Sequence, residues 1–380
     1  MTRHTTDVIV LGGGVMGCAT AYHLAKRGRR VALLEQFAIG HALGSSHGPS
    51  RIIRLAYDSL DYVRLAQASY TLWHALEDEC GEQLMLQTGG LDFGTPDALG
   101  LAGIGATYQA AGVPFEALDA DEIMRRYPQF RLPENTVGFF QADYSLLAAG
   151  RCVAALAAQA RQHGAAIYEH TAAQQVAIAG DGVEVRAGDA VFCADKVVLC
   201  AGSWARPLLT RLGLDLPLTV LKEQLAFFAA HDPSAFMPGR FPLFIHRYPG
   251  TTVLGSGFPI YDHRGVKLMV DRIGPEVAPD DPDRTIDSAR LARLHAYATG
   301  ILPGLTGEII EAVSCRYTMT PDEDFILDVH PAYPQVLVGS PCSGHGFKFG
   351  VAIGEVLADL ATKGHTKHDI ARFRLARFGL

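Results

Sequence analysis

The chain has 380 residues, of which 48% are hydrophobic and 19% charged, so it can bury a large core and divide into more than one domain. A formal net charge of −7 argues against a nucleic-acid-binding surface, and no apolar run is long enough to predict a membrane-spanning helix. An odd number of cysteines without a CxxC pair argues against a zinc cluster or a disulfide framework and predicts a reducing, cytoplasmic location. The seven cysteines are Cys18, Cys80, Cys152, Cys193, Cys200, Cys315 and Cys342.

The first elements form a dinucleotide-binding pattern. A strand over 7–11, a glycine turn, a helix over 15–26 and a second strand over 30–34 follow one another. In such a GxGxxG turn the first glycine allows the tight turn, the second lets a pyrophosphate approach the backbone, and the third lets helix and strand pack closely. Glu35 ends the second strand, where a carboxylate would hold a ribose hydroxyl. The pattern predicts a Rossmann-type site with Gly12, Gly14 and Gly17 in the glycine positions.

The rest of the chain alternates between helical and β-rich segments. The patterns predict helices over 70–79, 146–163, 287–299 and 350–363, and strands within 165–198, 216–275 and from 336 onward. The acidic, proline-rich stretch over 275–287 predicts a loop. We therefore predict an α/β fold with α+β inserts, in which a Rossmann-like domain is interrupted by a β-rich domain.

GxGxxG does not by itself separate NAD from FAD. After Glu35 the chain continues as QFAIGHALGSSHGPSRIIR, a long loop rich in glycine and serine. NAD dehydrogenases usually continue directly into another βαβ unit. A flexible loop of small residues fits a larger cofactor, whose flavin end must also be covered, so the sequence favours FAD.

Several stretches together resemble the monomeric sarcosine oxidase family, within the D-amino-acid-oxidase-like flavoenzymes. They span almost the whole chain in the family's order: DVIVLGGGVMG, GSSHGPSRIIR, VVLCAGSWA, CRYTMTPDEDFILDVHP, and SGHGFKFG followed by GEVLADLA. The resemblance implies an FAD-binding domain of residues 1–86, 146–215 and 316–380, and a substrate-binding domain of residues 87–145 and 216–315.

The resemblance also implies which residues hold FAD. The cysteine of a C-x-Y-T motif matches Cys315, which implies a covalent bond from its sulfur to the 8α-methyl carbon of the flavin. Without the motif, any one of the seven cysteines could be a small buried hydrophobe. The full predicted set is Gly12, Gly14, Val15, Met16, Gly17, Glu35, Gln36, Ser45, His47, Arg51, Ala201, Gly202, Trp204, Cys315, Gly344, His345, Gly346 and Lys348.

Six residues stand at positions that act on the substrate or on oxygen in the family, and five of them match it. Arg54 and Lys348 match the pair that grips the substrate carboxylate, and Arg51 matches an arginine near the flavin face. On a helix or a tight turn, the three-residue spacing would place both guanidinium groups on one side. Lys267 matches the lysine beneath the flavin N5 that promotes the reaction with oxygen, and Tyr317 matches a tyrosine bordering the substrate pocket. The sixth residue, Asp271, departs from the family.

Two positions depart from sarcosine oxidase proper. Asp271 stands where that enzyme has a histidine, and Gly255 or Ser256 stands where it has a tyrosine, although Tyr261 or His263 could supply a ring from elsewhere. The exchange suggests a wider pocket with an acid in it. Pipecolate, proline, a dehydro-piperidine acid or a bulkier N-alkyl amino acid then fit as well as sarcosine does, unless Asp271 is a turn or cap residue.

The resemblance implies an oxidase that converts an amino acid to an imine and reduces O2 to hydrogen peroxide. The alternatives are a flavin dehydrogenase with another acceptor, a flavin-binding sensor without turnover, and an NAD dehydrogenase. No metal constellation is expected, and the predicted partners are an amino acid and O2. Neither nucleic acid nor membrane is expected as a partner, and nothing in the sequence demands more than a monomer.

Overall fold

The computed structural model describes residues 2–340 and 343–380, so Cys342 lies outside the described residues. Eight α-helices occur within these ranges. They are α1 (Val15–Lys26), α2 (Leu60–Cys80), α3 (Leu101–Ala111), α4 (Ala120–Arg126), α5 (Ala149–Gln162), α6 (Ala205–Thr210), α7 (Ser288–Ile301) and α8 (Gly350–Lys363). Short 3-10 turns occupy Gly202–Trp204, Pro233–Phe236, Phe347–Phe349, Ala371–Phe373 and Leu375–Phe378.

The strands are short, except for two long ones in the second half of the chain. In chain order they are β1 (Thr2–Thr5), β2 (Val8–Leu11), β3 (Val31–Leu34), β4 (Arg51–Ile53), β5 (Met85–Gln87), β6 (Gly90–Gly94), β7 (Glu116–Asp119), β8 (Val137–Gln141), β9 (Ser145–Leu147), β10 (Ala166–Tyr168), β11 (Gln175–Ala179), β12 (Gly182–Ala187), β13 (Ala190–Ala194), β14 (Lys196–Leu199), β15 (Thr219–Ala230), β16 (Leu243–Arg247), β17 (Leu254–Phe258), β18 (Val266–Val270), β19 (Leu305–Met319), β20 (Ile326–Val329) and β21 (Val336–Ser340).

A six-stranded sheet holds the nucleotide-binding pattern. Its order is β10-β3-β2-β14-β21-β20, and all neighbours are parallel except β20 and β21. The four residues of β2 and of β3 are all buried, as expected for parallel strands that are covered on both faces. The carboxyl ends of β2 and β3 lead into the glycine turn and into Glu35, which places the cofactor site at this edge of the sheet.

Helices α1 and α8 pack closely beside this sheet. A Cβ built on Gly354 would lie 2.6 Å from the Cβ of Ala19, and one built on Gly350 would lie 2.5 Å from a methyl of Val15. The two glycines of α8 therefore let it approach α1 closely. Since the Phe347–Phe349 turn runs directly into α8, this packing also fixes the position of the SGHGFKFG segment.

An eight-stranded sheet forms the β-rich part of the molecule. Its order is β19-β15-β18-β17-β16-β6-β8-β7, so it combines strands from 90–141 with strands from 219–319. In the chain, the first of these stretches lies between β4 and β9, and the second precedes β20 and β21. The predicted α/β fold, with a Rossmann-like part interrupted by β-rich segments, is confirmed. Two smaller sheets, β1-β13-β12-β11 and β4-β9-β5, complete the strands.

Most predicted elements are present, with differences at two places. Helices over 15–26 and 350–363 match α1 and α8 in full, whereas α2 begins ten residues before the predicted start at 70. The first half of α2 buries Tyr62, Val63, Leu65, Ala66 and Ser69 at helical spacing, and the prediction missed this signal. Residues 146 and 147 were predicted as the start of a helix but belong to β9, which pairs with β4 and β5 on either side.

Three global expectations can be compared with the described residues. Within 2–340 and 343–380 no helix combines the length and the apolar character needed to span a membrane. The same ranges contain no cluster of three or more histidine, cysteine or acidic side chains that could hold a metal ion. The six described cysteines are all free thiols.

Candidate active site

A cavity of about 430 Å3 opens at the carboxyl edge of the six-stranded sheet. It is lined by ten of the residues that were predicted to hold the cofactor. These are Gly12, Gly14, Val15, Met16, Glu35, Gln36, Ser45, Ala201, Gly202 and Trp204. These ten residues therefore lie around a single cavity, which we name the nucleotide cavity.

The glycines of the first turn fit a dinucleotide. Gly12 has φ +104°, and a Cβ at this position would lie 2.5 Å from the carbonyl oxygen of Cys200. A Cβ on Gly17 would lie 1.8 Å from the carbonyl oxygen of Gly12, so the third glycine serves helix packing and does not line the cavity. Gly14 has no side chain to cap α1, which leaves backbone N–H groups at the helix start for an anionic diphosphate.

Glu35 has the position expected of a ribose-binding carboxylate. Its side chain is buried, accepts hydrogen bonds from the backbone N–H of Gly13 (2.6 Å) and of Phe37 (2.8 Å), and lines the nucleotide cavity. These two donors hold the carboxylate at the carboxyl end of β3. A carboxylate fixed there can accept a hydrogen bond from a sugar hydroxyl.

A second cavity of about 130 Å3 shares four lining residues with the first, namely Val15, Ser45, Ser46 and Thr318. We name it the substrate cavity. All six residues that were predicted to act on substrate or oxygen line it. Four further residues that were predicted to hold the cofactor, and that do not line the nucleotide cavity, line it as well. The ten are Arg51, Arg54, Lys267, Asp271, Tyr317, Lys348, Cys315, Gly344, His345 and Gly346.

Lys267 is buried with its amino group next to an aromatic ring. Its Nζ lies 4.0 Å from the Phe258 ring centroid and donates hydrogen bonds to the carbonyl oxygen (2.9 Å) and the hydroxyl (3.3 Å) of Ser50. Burial, together with the nearby charge of Arg51, lowers the pKa of Lys267 well below its ordinary value. A cation at this site is electrostatically costly unless an anion comes close to it.

Arg51 and Arg54 both reach the substrate cavity, but not from a helix or a tight turn as was predicted. Residues 51–53 form β4, so the three-residue spacing places the two side chains on different sides of an extended backbone. Arg51 donates to the carbonyl oxygens of Ser45 (2.9 Å) and His47 (2.7 Å), which ties it to the preceding loop. Arg54 is the more buried of the two.

Arg54 belongs to a buried charge cluster. Its Nη1 lies 3.6 Å from Oδ1 of Asp92, and the same oxygen accepts a hydrogen bond from Nε of Arg247 at 3.0 Å and lies 3.0 Å from Nη2 of Arg247. Asp92 is fully buried, and two guanidinium groups share its charge. Formally the cluster keeps one positive charge, so Arg54 remains able to attract an anion.

Lys348 reaches the substrate cavity from the Phe347–Phe349 turn. Its Nζ donates to the hydroxyl of Tyr57 (3.0 Å) and to the carbonyl oxygen of His345 (2.6 Å), and only 5% of the residue is exposed. Gly344 has φ +78°, and a Cβ at this position would lie 2.4 Å from the Tyr317 ring. The glycine therefore lets the segment pass close to Tyr317.

Cys315 lies on β19 opposite Glu223 of β15 and lines the substrate cavity. Burial raises the pKa of its thiol to about 11, although the charges of Arg51 and Lys267 act in the opposite direction. The cations that were expected near this cysteine are present. They do not make the thiolate the dominant form at neutral pH, because the cost of burying the charge is larger.

Asp271 directly follows β18 and combines the two roles that the sequence left open. It lines the substrate cavity, and its Oδ1 also accepts a hydrogen bond from the backbone N–H of Leu254 at 3.3 Å. Burial raises the pKa of Asp271 to about 6, with Arg272 acting in the opposite direction. The side chain therefore bridges two neighbouring strands and presents an acid to the cavity.

Three predicted or considered residues lie elsewhere. His47 is not among the lining residues of either cavity; burial and then the charges of Arg51 and Lys267 lower its pKa to about 4. His263 stacks on Phe227 and pairs with Glu311, so it does not supply a ring to the substrate cavity, and Tyr261 does not line it either. Ser256 does line it, whereas Gly255 does not.

The sequence did not identify Tyr57, Asp92 or Arg272. Arg272 lines the substrate cavity with φ +61° and forms an ion pair with Glu323 at 2.9 Å. Asp92 could have been noticed, because an acid within the apolar strand GGLDFG needs a buried partner. Tyr57 and Arg272 carried no comparable signal in the sequence.

A Rossmann-type cavity that continues into a cavity lined by buried cations defines a flavin-dependent oxidoreductase. The family model described as FAD dependent oxidoreductase matches residues 7–360. The chain is 35% identical to a monomeric sarcosine oxidase of Bacillus sp. (strain B-0618), over 98% of this chain and 96% of that protein. It is 31% identical to an N-methyl-L-tryptophan oxidase of Salmonella typhimurium, over 98% of this chain and 99% of that protein.

A solved structure supports the same assignment. NikD, described as an unusual amino acid oxidase essential for nikkomycin biosynthesis, superposes with a TM-score of 0.87 at 28% identity, over 98% of this chain and 97% of that chain. The chain therefore belongs to the FAD dependent oxidoreductase family, and within it to the monomeric sarcosine oxidase family. It is an enzyme of the sarcosine oxidase type that uses FAD.

Proposed function

We propose that the enzyme oxidises the C–N bond of a secondary amino acid to an imine and passes the electrons to O2, which yields hydrogen peroxide. One observation carries this proposal: Arg54 and Lys348, both about 5% exposed, line a single cavity together with Lys267 and Cys315. Two buried cations in a small cavity fit a carboxylate. Bound FAD supplies the two-electron acceptor for the reaction.

In this proposal the protein contributes binding, orientation and charge. Arg54 and Lys348 bind the substrate carboxylate, and Tyr317 and Met269 border the space beside it. Asp271 faces the same cavity and attracts the amine end of the substrate while it is ionised. Lys267 stays close to the reacting centre as a buried cation. The proposed substrate classes are N-methyl and cyclic amino acids, including sarcosine, pipecolate and proline.

An anaerobic screen tests the proposal. The purified yellow protein is mixed under nitrogen with sarcosine, N-methyl-L-tryptophan, L- and D-pipecolate and L-proline, and flavin absorbance is followed. We expect bleaching by at least one of them and one peroxide per substrate after air is admitted. Failure of all five to bleach the flavin would contradict the proposed substrate class. Bleaching without peroxide would point to a dehydrogenase with another acceptor.

We further propose that FAD is bonded covalently through Cys315. A thiol that lines the substrate cavity between Arg51 and Lys267 is the structural support, and Cys315 matches the C-x-Y-T motif. Because burial keeps this thiol protonated near neutral pH, we expect attachment to be faster at higher pH, where the thiolate forms more readily.

Replacing Cys315 by serine is expected to abolish covalent flavin while the protein still folds and binds FAD. The measurement is flavin fluorescence of the protein band on a denaturing gel, together with free FAD in the acid supernatant. Cys193→Ser is the matched control, since this partly exposed thiol lies on β13 and lines neither cavity. A fluorescent band for Cys315→Ser would show that attachment uses another residue.

Asp271→Asn is expected to change how the stability of the protein and its binding of substrate depend on pH. Because burial raises the folded-state pKa of Asp271 to about 6, the folded protein binds this proton more tightly than the unfolded chain. Wild-type stability therefore falls relative to that of Asp271→Asn as pH rises from about 4 to 6, by about 1–3 kcal/mol in all.

The measurements for Asp271→Asn are Tm and KM as functions of pH. We expect the wild-type KM to fall as pH rises through about 6, because the ionised carboxyl attracts the substrate ammonium, and the variant to lose this step. Asp181→Asn, an exposed carboxyl in the turn between β11 and β12, is the control. If Asp271→Asn follows the wild-type pH profile, Asp271 is structural only.

The same proposal divides the chain into an FAD-binding part and a substrate-binding part. The strands of the eight-stranded sheet support residues 87–145 and 216–315 as the substrate-binding part. The boundaries at 86/87, 145/146 and 315/316 fall inside β5, β9 and β19, so they mark regions and not sharp junctions. A monomeric state and a cytoplasmic location remain predictions, and size-exclusion chromatography tests the first.

A further inference from the structure

We propose that Tyr57 is a positioning residue that holds Arg54 and Lys348 in place for one carboxylate. The inference rests on the proposed function, in which these two cations bind the substrate. Tyr57 is 7% exposed and follows β4 by four residues. Its ring lies within cation–π range of both Arg54 and Lys348, and its hydroxyl accepts a hydrogen bond from Lys348, so a single side chain links two segments that are almost three hundred residues apart.

The hydroxyl of Tyr57 takes part in a hydrogen-bond chain with a defined direction. Nε2 of His345 lies 3.1 Å from the backbone carbonyl oxygen of Glu323, and a carbonyl can only accept, so Nε2 carries the hydrogen. Nδ1 is then the acceptor, and the Tyr57 hydroxyl donates to it at 3.2 Å. The Tyr57 oxygen in turn accepts from Nζ of Lys348 at 3.0 Å.

The charge states of these groups agree with that direction. Burial, followed by the charges of Lys348 and Arg272, lowers the pKa of His345 well below its ordinary value, which keeps the imidazole neutral. Burial raises the pKa of Tyr57 to about 12, which keeps its hydroxyl protonated. Each link therefore has one donor and one acceptor, and the chain ends on a fixed backbone carbonyl.

The ring of Tyr57 restrains Arg54. The guanidinium carbon lies 4.6 Å from the ring centroid, within the range of a cation–π contact. The ring itself stacks on Tyr62 at 4.9 Å between centroids and meets Phe349 at 5.6 Å, so packing holds it. Asp92 and the backbone carbonyl of Ala56 both contact Nη1 of the Arg54 guanidinium.

The consequence is that the two cations reach the cavity already oriented. Long lysine and arginine side chains lose considerable rotamer freedom when a ligand fixes them, and a side chain that restrains them beforehand reduces this cost on binding. Tyr57 thus acts on the affinity for the carboxylate end of the substrate. It touches neither the amine nor the carbon that is oxidised in the proposed reaction.

Tyr57→Phe removes the hydrogen bond between the hydroxyl and Lys348 and keeps the ring beside Arg54 and Lys348. We expect the KM for sarcosine and for L-pipecolate to rise about tenfold, as for loss of one hydrogen bond to a charged group. The rate of anaerobic flavin bleaching at saturating substrate should change less than about twofold. A purely structural defect would lower FAD content and bleaching rate as well.

Tyr62→Phe is the matched control, since it removes a neighbouring buried hydroxyl that donates to Asp324 at 2.8 Å. The decisive comparison is Tyr57→Phe in a Lys348→Met background. If Tyr57 acts through Lys348, the hydroxyl deletion adds less than about twofold to the KM of Lys348→Met.

The outcomes distinguish a failure of the inference about Tyr57 from a failure of the proposed function. An unchanged KM for Tyr57→Phe, or a full tenfold effect that persists in the Lys348→Met background, would overturn the role of Tyr57. A normal KM for Lys348→Met would overturn the carboxylate-binding role of Lys348 itself. Absence of bleaching of the wild-type protein by both sarcosine and L-pipecolate would remove the proposed substrate class, and the inference about Tyr57 would fall with it.

Discussion

Replacing Lys267 by methionine is expected to slow reoxidation of the reduced flavin by O2 by at least about a hundredfold, with flavin reduction by substrate changed less than about threefold. The first electron transferred to O2 creates a negative charge. A fixed cation in a dry site stabilises such a charge, and one well-placed donor of this kind is worth about 100- to 1000-fold in rate. Methionine keeps the length of the side chain and removes the cation.

The surroundings of Lys267 support this expectation. Its amino group donates only to oxygen atoms of Ser50, packs over Phe258, and has no carboxylate within ion-pair distance among the described residues. Burial lowers its pKa well below the ordinary value. An anion that forms nearby would therefore be attracted strongly, because no ion pair within the described residues neutralises the buried ammonium group.

The lowered pKa adds a pH dependence with a definite sign. Lysine is charged below its pKa, so the reoxidation rate should fall as pH rises through the lowered pKa of Lys267, while Lys267→Met should show no such step. Stopped-flow mixing of anaerobically reduced enzyme with aerated buffer measures the rate. Lys367→Met, an exposed lysine paired with Glu355, is the control. Equal slowing of reduction and reoxidation in Lys267→Met would refute the assigned role.

The local sequence was sufficient for the nucleotide cavity and insufficient for the charge network beside the substrate. Gly12, Gly14 and Glu35 act within one strand–helix–strand unit, whose geometry follows from neighbouring residues. The six residues that were assigned to substrate and oxygen also proved to share one cavity. This could be predicted only because whole motifs resembled a known family, since Arg54 and Lys348 come from opposite ends of the chain.

Contacts between distant segments escaped prediction. Asp92 holds Arg247 across 155 positions of sequence, and Tyr57 meets His345 across 288. Neither pair has a spacing that a helix or strand period could reveal. The mistaken helical prediction for residues 146 and 147 has the same origin: β9 is a strand because β4 and β5 pair with it, and its apolar residues alone fit either structure.

Replacing Lys348 by methionine is expected to lower kcat/KM for the amino acid substrate about a hundredfold, mostly through KM, and to leave the FAD content unchanged. The ammonium group is buried, and it donates hydrogen bonds to two neutral groups, the Tyr57 hydroxyl and the His345 carbonyl oxygen. A substrate carboxylate would add a charged partner in a low-dielectric cavity. Losing a charge-assisted contact of this kind costs about 1.5–3 kcal/mol or more.

Comparing an amino acid substrate with its carboxamide tests whether the loss of kcat/KM in Lys348→Met comes from the contact with the carboxylate. Wild-type enzyme should prefer the amino acid to its carboxamide by about a hundredfold, and Lys348→Met should lose most of this preference because the amide carries no charge. Lys363→Met is the matched control: this exposed lysine of α8 pairs with Asp359 at 2.9 Å and lines neither cavity.

An unchanged acid-to-amide ratio in Lys348→Met would show that Lys348 does not bind the carboxylate, even if kcat/KM fell. Loss of FAD from the variant would instead make Lys348 a cofactor residue, which the family resemblance also implies for this position. If the acid-to-amide ratio collapses while flavin remains bonded to the protein, the role of the glycines of SGHGFKFG is explained. They let the segment that carries Lys348 pass close to Tyr317 and α1, so that its buried ammonium group and Arg54 can bind the same carboxylate.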